Sequence, residues 1–110
     1  VRLIDVDRAL ACRRYASDVD VVFDVTDSQC PWNEGRWRLQ GDDKAAECVR
    51  TNDEADLALS VRELGAVFLG GGSLGQLARA GRVIELHPGS LRTTAIAFRS
   101  ELAPFCQTIF

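Results

Sequence analysis

The chain has 110 residues, 46% of them hydrophobic, with 13 basic side chains against 16 acidic ones and a net charge of −3. That is the size of one domain, able to bury roughly two-thirds of its unfolded surface, and its basic residues are scattered rather than gathered into a stripe, which excludes nucleic acid as a partner. No apolar run approaches the ~20 residues of a bilayer span and no charged segment leads into an apolar one, so a single soluble, cytoplasmic domain without membrane contact is expected.

The sequence contains no methionine and begins at Val1, which reads as a piece of a longer polypeptide. Lys44 is the only lysine beside twelve arginines, a bias that fits a GC-rich bacterial genome.

Asp5 is a candidate N-cap, and VDRALACRRY after it places Val6, Ala9, Leu10 and Arg13 on one side of a short helix against an edge of the core. Residues 19–26, VDVVFDVT, alternate: Val19, Val21, Phe23 and Val25 face one way, Asp20, Val22, Asp24 and Thr26 the other. That is a half-buried strand. DSQCPWNEG is rich in turn formers, and RWRLQ follows with Trp37 and Leu39 inward and Arg36, Arg38 and Gln40 outward. GDDK makes a turn and AAECVRT returns as a third strand. LALSV offers a fourth, with Leu57, Leu59 and Val61 on its apolar face, so an antiparallel meander with one wet face is expected.

From Arg62 the period becomes helical, with Leu64, Val67 and Phe68 on one side. The run LGGGSLGQLARAG has the letters of a phosphate-binding loop, but it lacks the lysine of a Walker motif and follows a helix rather than a strand. Ser73 and Gln76 instead form an S-x-x-Q capping box for a short helix that buries Leu74, Leu77 and Ala78, and Gly81 can take the left-handed conformation at its end. The glycines turn the chain between two helices. GRVIEL is a brief apolar run, HPG a break, and SLRTTAIAFRSEL a last helix with Leu91, Thr94, Ala95, Phe98 and Leu102 on one face. The tail APFCQTIF is apolar to its end, unlike ordinary frayed termini. A sheet half followed by a helical half is an α+β arrangement.

Cys12, Cys30, Cys48 and Cys106 include no C-x-x-C pair, and His87 is the only histidine. No metal site is expected, and the thiols are read as reduced. A Cys–His catalytic pair stays open in principle, because such residues meet in space rather than in sequence. Asp20 and Asp24 resemble a carboxylate pair, yet a solvated strand face accounts for them. Trp32, in a polar turn, is either an exposed contact for another domain or subunit or a ring folded over its own hairpin.

The order of RLIDVDRALACRRY, the strands flanking CPWNEGRWRL, the VRELGAVFLGGGSLGQLARAGRV block and a terminal Phe110 resembles the C-terminal domain of the enhanced-intracellular-survival (Eis-type) family of GNAT N-acetyltransferases. The resemblance covers nearly the whole chain. It implies a sterol-carrier-protein-like (SCP2-like) α+β fold with a mainly antiparallel sheet of about four to five strands and helices packed on one face, over a single domain spanning 1–110. It also implies a parent with two acetyltransferase-type domains ahead of this one, acetyl-CoA as the parent's cofactor with none in this domain, amine substrates that include aminoglycosides, and a hexamer. The family's general acid and its pyrophosphate loop belong to the preceding domains, and Tyr15 is not that acid. What maps here is Phe110, whose terminal carboxylate would be the catalytic base, with Ile109 beside it where some members carry a carboxylate side chain. Ile109 and Phe110 are therefore the tentative substrate contacts.

Three functions remain in contention: a noncatalytic acetyltransferase domain that donates one group to the active site, a carrier of sterol or other lipid in an apolar cavity, and a scaffold for oligomer assembly. Phe23, Trp37, Phe68 and Phe98 read as core residues, which weighs against the carrier.

Overall fold

The computed structural model describes residues 5–12, 15–68 and 74–98, without the side chains of Cys12 and Phe68. Among the described residues the order is α1 (Val6–Cys12), β1 (Val19–Thr26), a 3-10 turn (Pro31–Asn33), β2 (Gly35–Gly41), β3 (Ala46–Arg50), β4 (Leu57–Ser60), α2 (Val61–Phe68), α3 (Leu74–Arg79), β5 (Val83–Glu85) and α4 (Ser90–Ala97).

The five strands form one sheet in the order β3-β2-β1-β4-β5. Strands β1, β2 and β3 make the expected antiparallel meander, with Val21 opposite Leu39 and Phe23 opposite Trp37. The fourth strand departs from it. Instead of extending the meander beyond β3, β4 pairs parallel with β1, Leu57 beside Phe23 and Leu59 beside Val25, and β5 then joins β4 antiparallel. The cause lies in the connection 51–56. Arg36 and Arg38 point to the open side of the sheet; Arg36 donates to the carbonyls of Asn52 and Asp53, and Arg38 pairs with the Asp53 carboxylate at 3.3 Å. Asp56 completes the crossing, since its N–H donates to the Val22 carbonyl and its carboxylate accepts from the Val22 N–H. These bonds hold the connection over the strands, so Leu57 and Leu59 arrive beside the most apolar strand. Three of the four pairings are antiparallel, and the sheet is mixed.

The alternating residues divide as their period predicts. Val19, Val21, Phe23, Val25, Trp37, Leu39, Leu57, Leu59 and Val83 join Val6, Ala9 and Leu10 of α1, Leu64 and Val67 of α2, Leu74 of α3, and Ala97 and Phe98 in one buried cluster. The described helices lie on this face, with α1 over β2 and β3, α2 against β4, α3 against β5 and α4 against β1. Val61 opens α2 rather than closing β4. Ala97 is part of the buried face of α4 although the helical pattern of its neighbours did not single it out.

Tyr15 ties three elements at one edge of the core. Its hydroxyl donates to the Leu10 carbonyl at 2.6 Å, its N–H donates to the Asp42 carbonyl, and its ring meets Phe98 edge-on at 5.1 Å. Phe98 in turn meets Phe23 edge-on at 6.3 Å, a preferred aromatic geometry. After α3 the N–H of Arg82 donates to Leu77 and that of Gly81 to Ala78, with Gly81 at φ 77°, which is the Schellman ending anticipated for Gly81. Arg13, Ser73 and Leu102 lie outside the described residues.

Candidate functional site

The parallel pair β1–β4 delivers Thr26 and Ser60 to the same edge of the sheet, where both strands end. A cavity of about 620 Å³ opens there, lined by Thr26, Asp27, Ser28, Gln29, Glu34, Ser60, Val61 and Arg62. One wall is the start of α2. Ser60 precedes its first turn and its hydroxyl bonds the Glu63 carboxylate, within the S-x-x-E spacing of a capping box. That signal, Ser60-Val61-Arg62-Glu63, is legible in the sequence and marks the true helix start.

The other wall is the 27–34 loop, which a buried polar network holds in place. Asp27 is almost fully buried; its carboxylate accepts from the N–H groups of Gln29 and Cys30, each at 3.0 Å, and from the Asn33 side-chain amide at 3.0 Å. Asn33, also buried, accepts from the Val6 N–H through its side-chain oxygen and from the Trp37 indole through its carbonyl at 2.8 Å. One asparagine thus joins α1, the loop and β2. Arg50 locks the outside of the loop: it donates to the carbonyls of Glu34 and Trp32 and stacks on the Trp37 ring at 4.3 Å. Gly35 sits under that guanidinium with φ 126°, and a Cβ there would stand 2.5 Å from the Arg50 Nη1. Only glycine fits both the conformation and the approach.

Chemically this edge can bind but has no reactive pair. The Ser60 hydroxyl is engaged with Glu63, and Asp27 is committed to loop donors. Among the described residues the cavity walls carry the carboxylates of Asp27 and Glu34, the guanidinium of Arg62 and the apolar side chain of Val61. Cys48 lies in the core with a free thiol that burial, aided by the Asp7 carboxylate, pushes up to about 12. A neutral thiol is a poor nucleophile. Cys30, with a free thiol, is half-buried at the foot of the 3-10 turn, and His87 is exposed in the β5–α4 turn. No group of three metal-ligating side chains occurs among the described residues, and no described helix is long and apolar enough to cross a membrane.

Asp20 and Asp24 share the open sheet face as the alternation predicts. Asp20 takes a two-pronged contact from Arg38, both bonds at 2.9 Å, and the bonded guanidinium holds its carboxyl below the ordinary range against a smaller opposing effect of burial. It is an ion-paired structural group. Trp32 is 54% exposed. Ile109 and Phe110 lie outside the described residues, as do Cys106 and the glycine run 70–72. Sequence reasoning missed the Asp27–Asn33–Trp37 network. The D-x₅-N spacing carries no signature, because the bonds depend on how the loop folds back.

Residues 6–107 match the family model described as "Sterol carrier protein domain". The chain is 62% identical over 105 residues to a protein of Streptomyces avermitilis named "Uncharacterized N-acetyltransferase", a match that takes in 96% of this chain and 26% of that one. It is 30% identical over 105 residues to the "N-acetyltransferase Eis" of Mycobacterium tuberculosis, covering 93% of this chain and 25% of the relative. Among solved structures it superposes on Eis1 from Mycobacterium abscessus with a TM-score of 0.77 at 35% identity, over 96% of this chain and 26% of that one. A GCN5-related N-acetyltransferase from Kribbella flavida gives 0.80 at 32% identity, over 94% and 26%. The chain spans about a quarter of the length of the curated relatives it matches.

Proposed function

The chain belongs to the sterol carrier protein domain family, in the form carried by Eis-type N-acetyltransferases, and we propose that it is the noncatalytic C-terminal domain of an acetyl-CoA-dependent amine N-acetyltransferase of aminoglycoside-acetylating type. The observation that carries this reading is the coverage: relatives named as N-acetyltransferases match nearly the whole of this chain, while the chain accounts for only a quarter of each.

The chemistry of the described residues supports a supporting rather than a catalytic part. The glycine run 70–72 lacks the lysine of a Walker loop, so the cofactor is assigned to the preceding acetyltransferase domains of the parent. The carrier reading, which the family description invites, requires an apolar chamber. Here Phe23, Leu39, Leu57 and Phe98 are packed in one cluster, and Asp27, Glu34 and Arg62 stand at the 620 Å³ cavity.

In this proposal the domain contributes contacts to a homo-oligomer, a hexamer as in the family, and one catalytic group, the terminal carboxylate of Phe110. An α-carboxyl group has an unperturbed pKa of about 3.3–3.7 and is ionised at neutral pH. An acceptor amine is mostly ammonium there, and a carboxylate within reach, directly or through one water, takes the proton before attack on the thioester. The Phe110 ring and Ile109 would anchor the chain end and line the amine's approach.

The test is made in the full-length parent by comparing deletion of Phe110 with extension by one glycine, checking folding and oligomer state in each. Both changes move the carboxylate, and extension keeps the ring. A fall in kcat of about 10²–10⁴-fold in both, the usual worth of general base catalysis, is expected. Normal turnover by the extended enzyme would reduce Phe110 to packing.

A further inference from the structure

The described helices pack on one face of the sheet, and the register shows what the other face carries. Ile84 stands opposite Ala58, Ala58 beside Asp24, and Asp24 opposite Arg36, so these residues share the open face. Leu86, two residues beyond Ile84 with its N–H bonded to the Asp56 carbonyl, continues the same side. Ile84 is 56% exposed and Leu86 53%; Val49, opposite the open-face Arg38, is exposed at the far edge. Of the five large apolar side chains exposed among the described residues, three lie on this face. A wet sheet face is ordinarily polar at such positions.

The charges on the face are matched only in part, since Asp24 and Glu47 share it and no ion pair of either is described. Asp20 and Asp53 both pair with Arg38, and Arg36 is held by backbone carbonyls of the 51–56 connection. Covering a face whose charges are mutually paired leaves fewer bare ions than covering unpaired ones. What this surface fits is therefore a partner that is apolar opposite Ile84 and Leu86 and brings water or basic groups to Asp24 and Glu47. The length of the relatives, about four times that of this chain, supplies one: a sheet buries both faces when a second layer is available, and domains of one chain commonly meet over about 600–1,500 Å².

We propose that the open sheet face, centred on Ile84 and Leu86 at the β4–β5 edge, is the docking surface for another domain of the same polypeptide. The inference rests on reading the chain as one domain of a longer acetyltransferase and adds which face meets the rest of the enzyme.

The experiment places a reporter thiol on each side of the sheet in the full-length protein, Ile84→Cys or Leu86→Cys on the open face and Ile96→Cys on the helical layer, and reads iodoacetamide labelling at each site by peptide mass spectrometry. All three variants replace exposed side chains, so folding is preserved, and near-native unfolding midpoints verify it. Labelling at 84 and 86 at least about tenfold slower than at 96, unchanged on dilution, is expected, because reaction must await opening of the interface. Rates within threefold of one another, or protection that disappears on dilution as it would for a second copy, overturn the proposal. Acetylation by the same preparations is scored separately: an inactive wild-type parent counts against the enzymatic reading, whereas fast labelling of an active one counts only against the docking face.

Discussion

The two faces of the sheet are built from the same five strands and meet different fates. On the helical side, side chains from β1, β2, β4 and β5 lock against four helices, and Phe23, Leu39 and Leu57 lose essentially all contact with solvent. On the open side, the chain's own 51–56 connection is clamped by Arg36 and Arg38, and aliphatic residues stand exposed beyond it. Strand alternation says which residues share a face; it does not say whether the second face is wet or waiting for a partner. The exposed Ile84 and Leu86 argue for the partner.

The widest gap between the faces should come from truncating one residue on each. Phe23→Ala in the 110-residue chain is expected to cost about 3–5 kcal/mol, against a change within about 0.5 kcal/mol for Ile84→Ala, as read by urea unfolding. A comparable loss at both positions would erase the distinction. At the loop edge, Asp27→Ala leaves the N–H groups of Gln29 and Cys30 and the Asn33 amide without their acceptor, and a loss of about 2–3 kcal/mol is expected in the same assay.

Cys48 sharpens the contrast by chemistry. Its folded pKa, about 12, stands above the ordinary 9.0, so the folded state prefers the neutral thiol. Its stabilising contribution is complete below pH 9 and is lost as pH rises from 9 toward 12, where the unfolded chain ionises first. In the native protein at pH 8, iodoacetamide should modify Cys30 well before Cys48, and equal rates would contradict the burial of β3's inner side.

Thr94 is a defect within the packed side: its hydroxyl is buried, and no hydrogen-bond partner for it is described. Thr94→Val removes the hydroxyl and keeps the shape, so a change between zero and about 1 kcal/mol in the stabilising direction is expected. A clear loss would mean that the hydroxyl is satisfied in solution. The smallest effect belongs to the open face. The Asp20–Arg38 pair is solvent-exposed and contributes little to stability. Because Arg38 depresses the Asp20 pKa, that contribution is present above the unfolded value of about 3.9 and is lost as pH falls through the lower folded value. It should also shrink with added salt in a urea titration of Asp20→Asn against the parent sequence.

Much of this architecture is legible in local periodicity. VDVVFDVT and RWRLQ announce both their strands and their inner faces, and Gly81 announces the end of α3. The parallel seating of β4 is not legible, because it follows from long-range bonds of Arg36, Arg38 and Asp56 that leave no periodic trace. The buried Tyr15 and the Asp27–Asn33 network escape for the same reason: each joins elements distant in sequence through single bonds. The S-x-x-E cap at Ser60 was available, but the strand pattern LALSV absorbs its first residue. For the site, the family resemblance points to Ile109 and Phe110, which lie outside the described residues, while the cavity at the β1–β4 edge has no motif of its own.

Whether this domain holds any acetyl-transfer chemistry of its own is decided most directly by thiol release from acetyl-CoA with a panel of amines, measured side by side on the full-length parent and on the 110-residue chain. Turnover by the parent and none above background by the isolated domain is the predicted result; sustained, amine-dependent turnover by the 110 residues alone would contradict it.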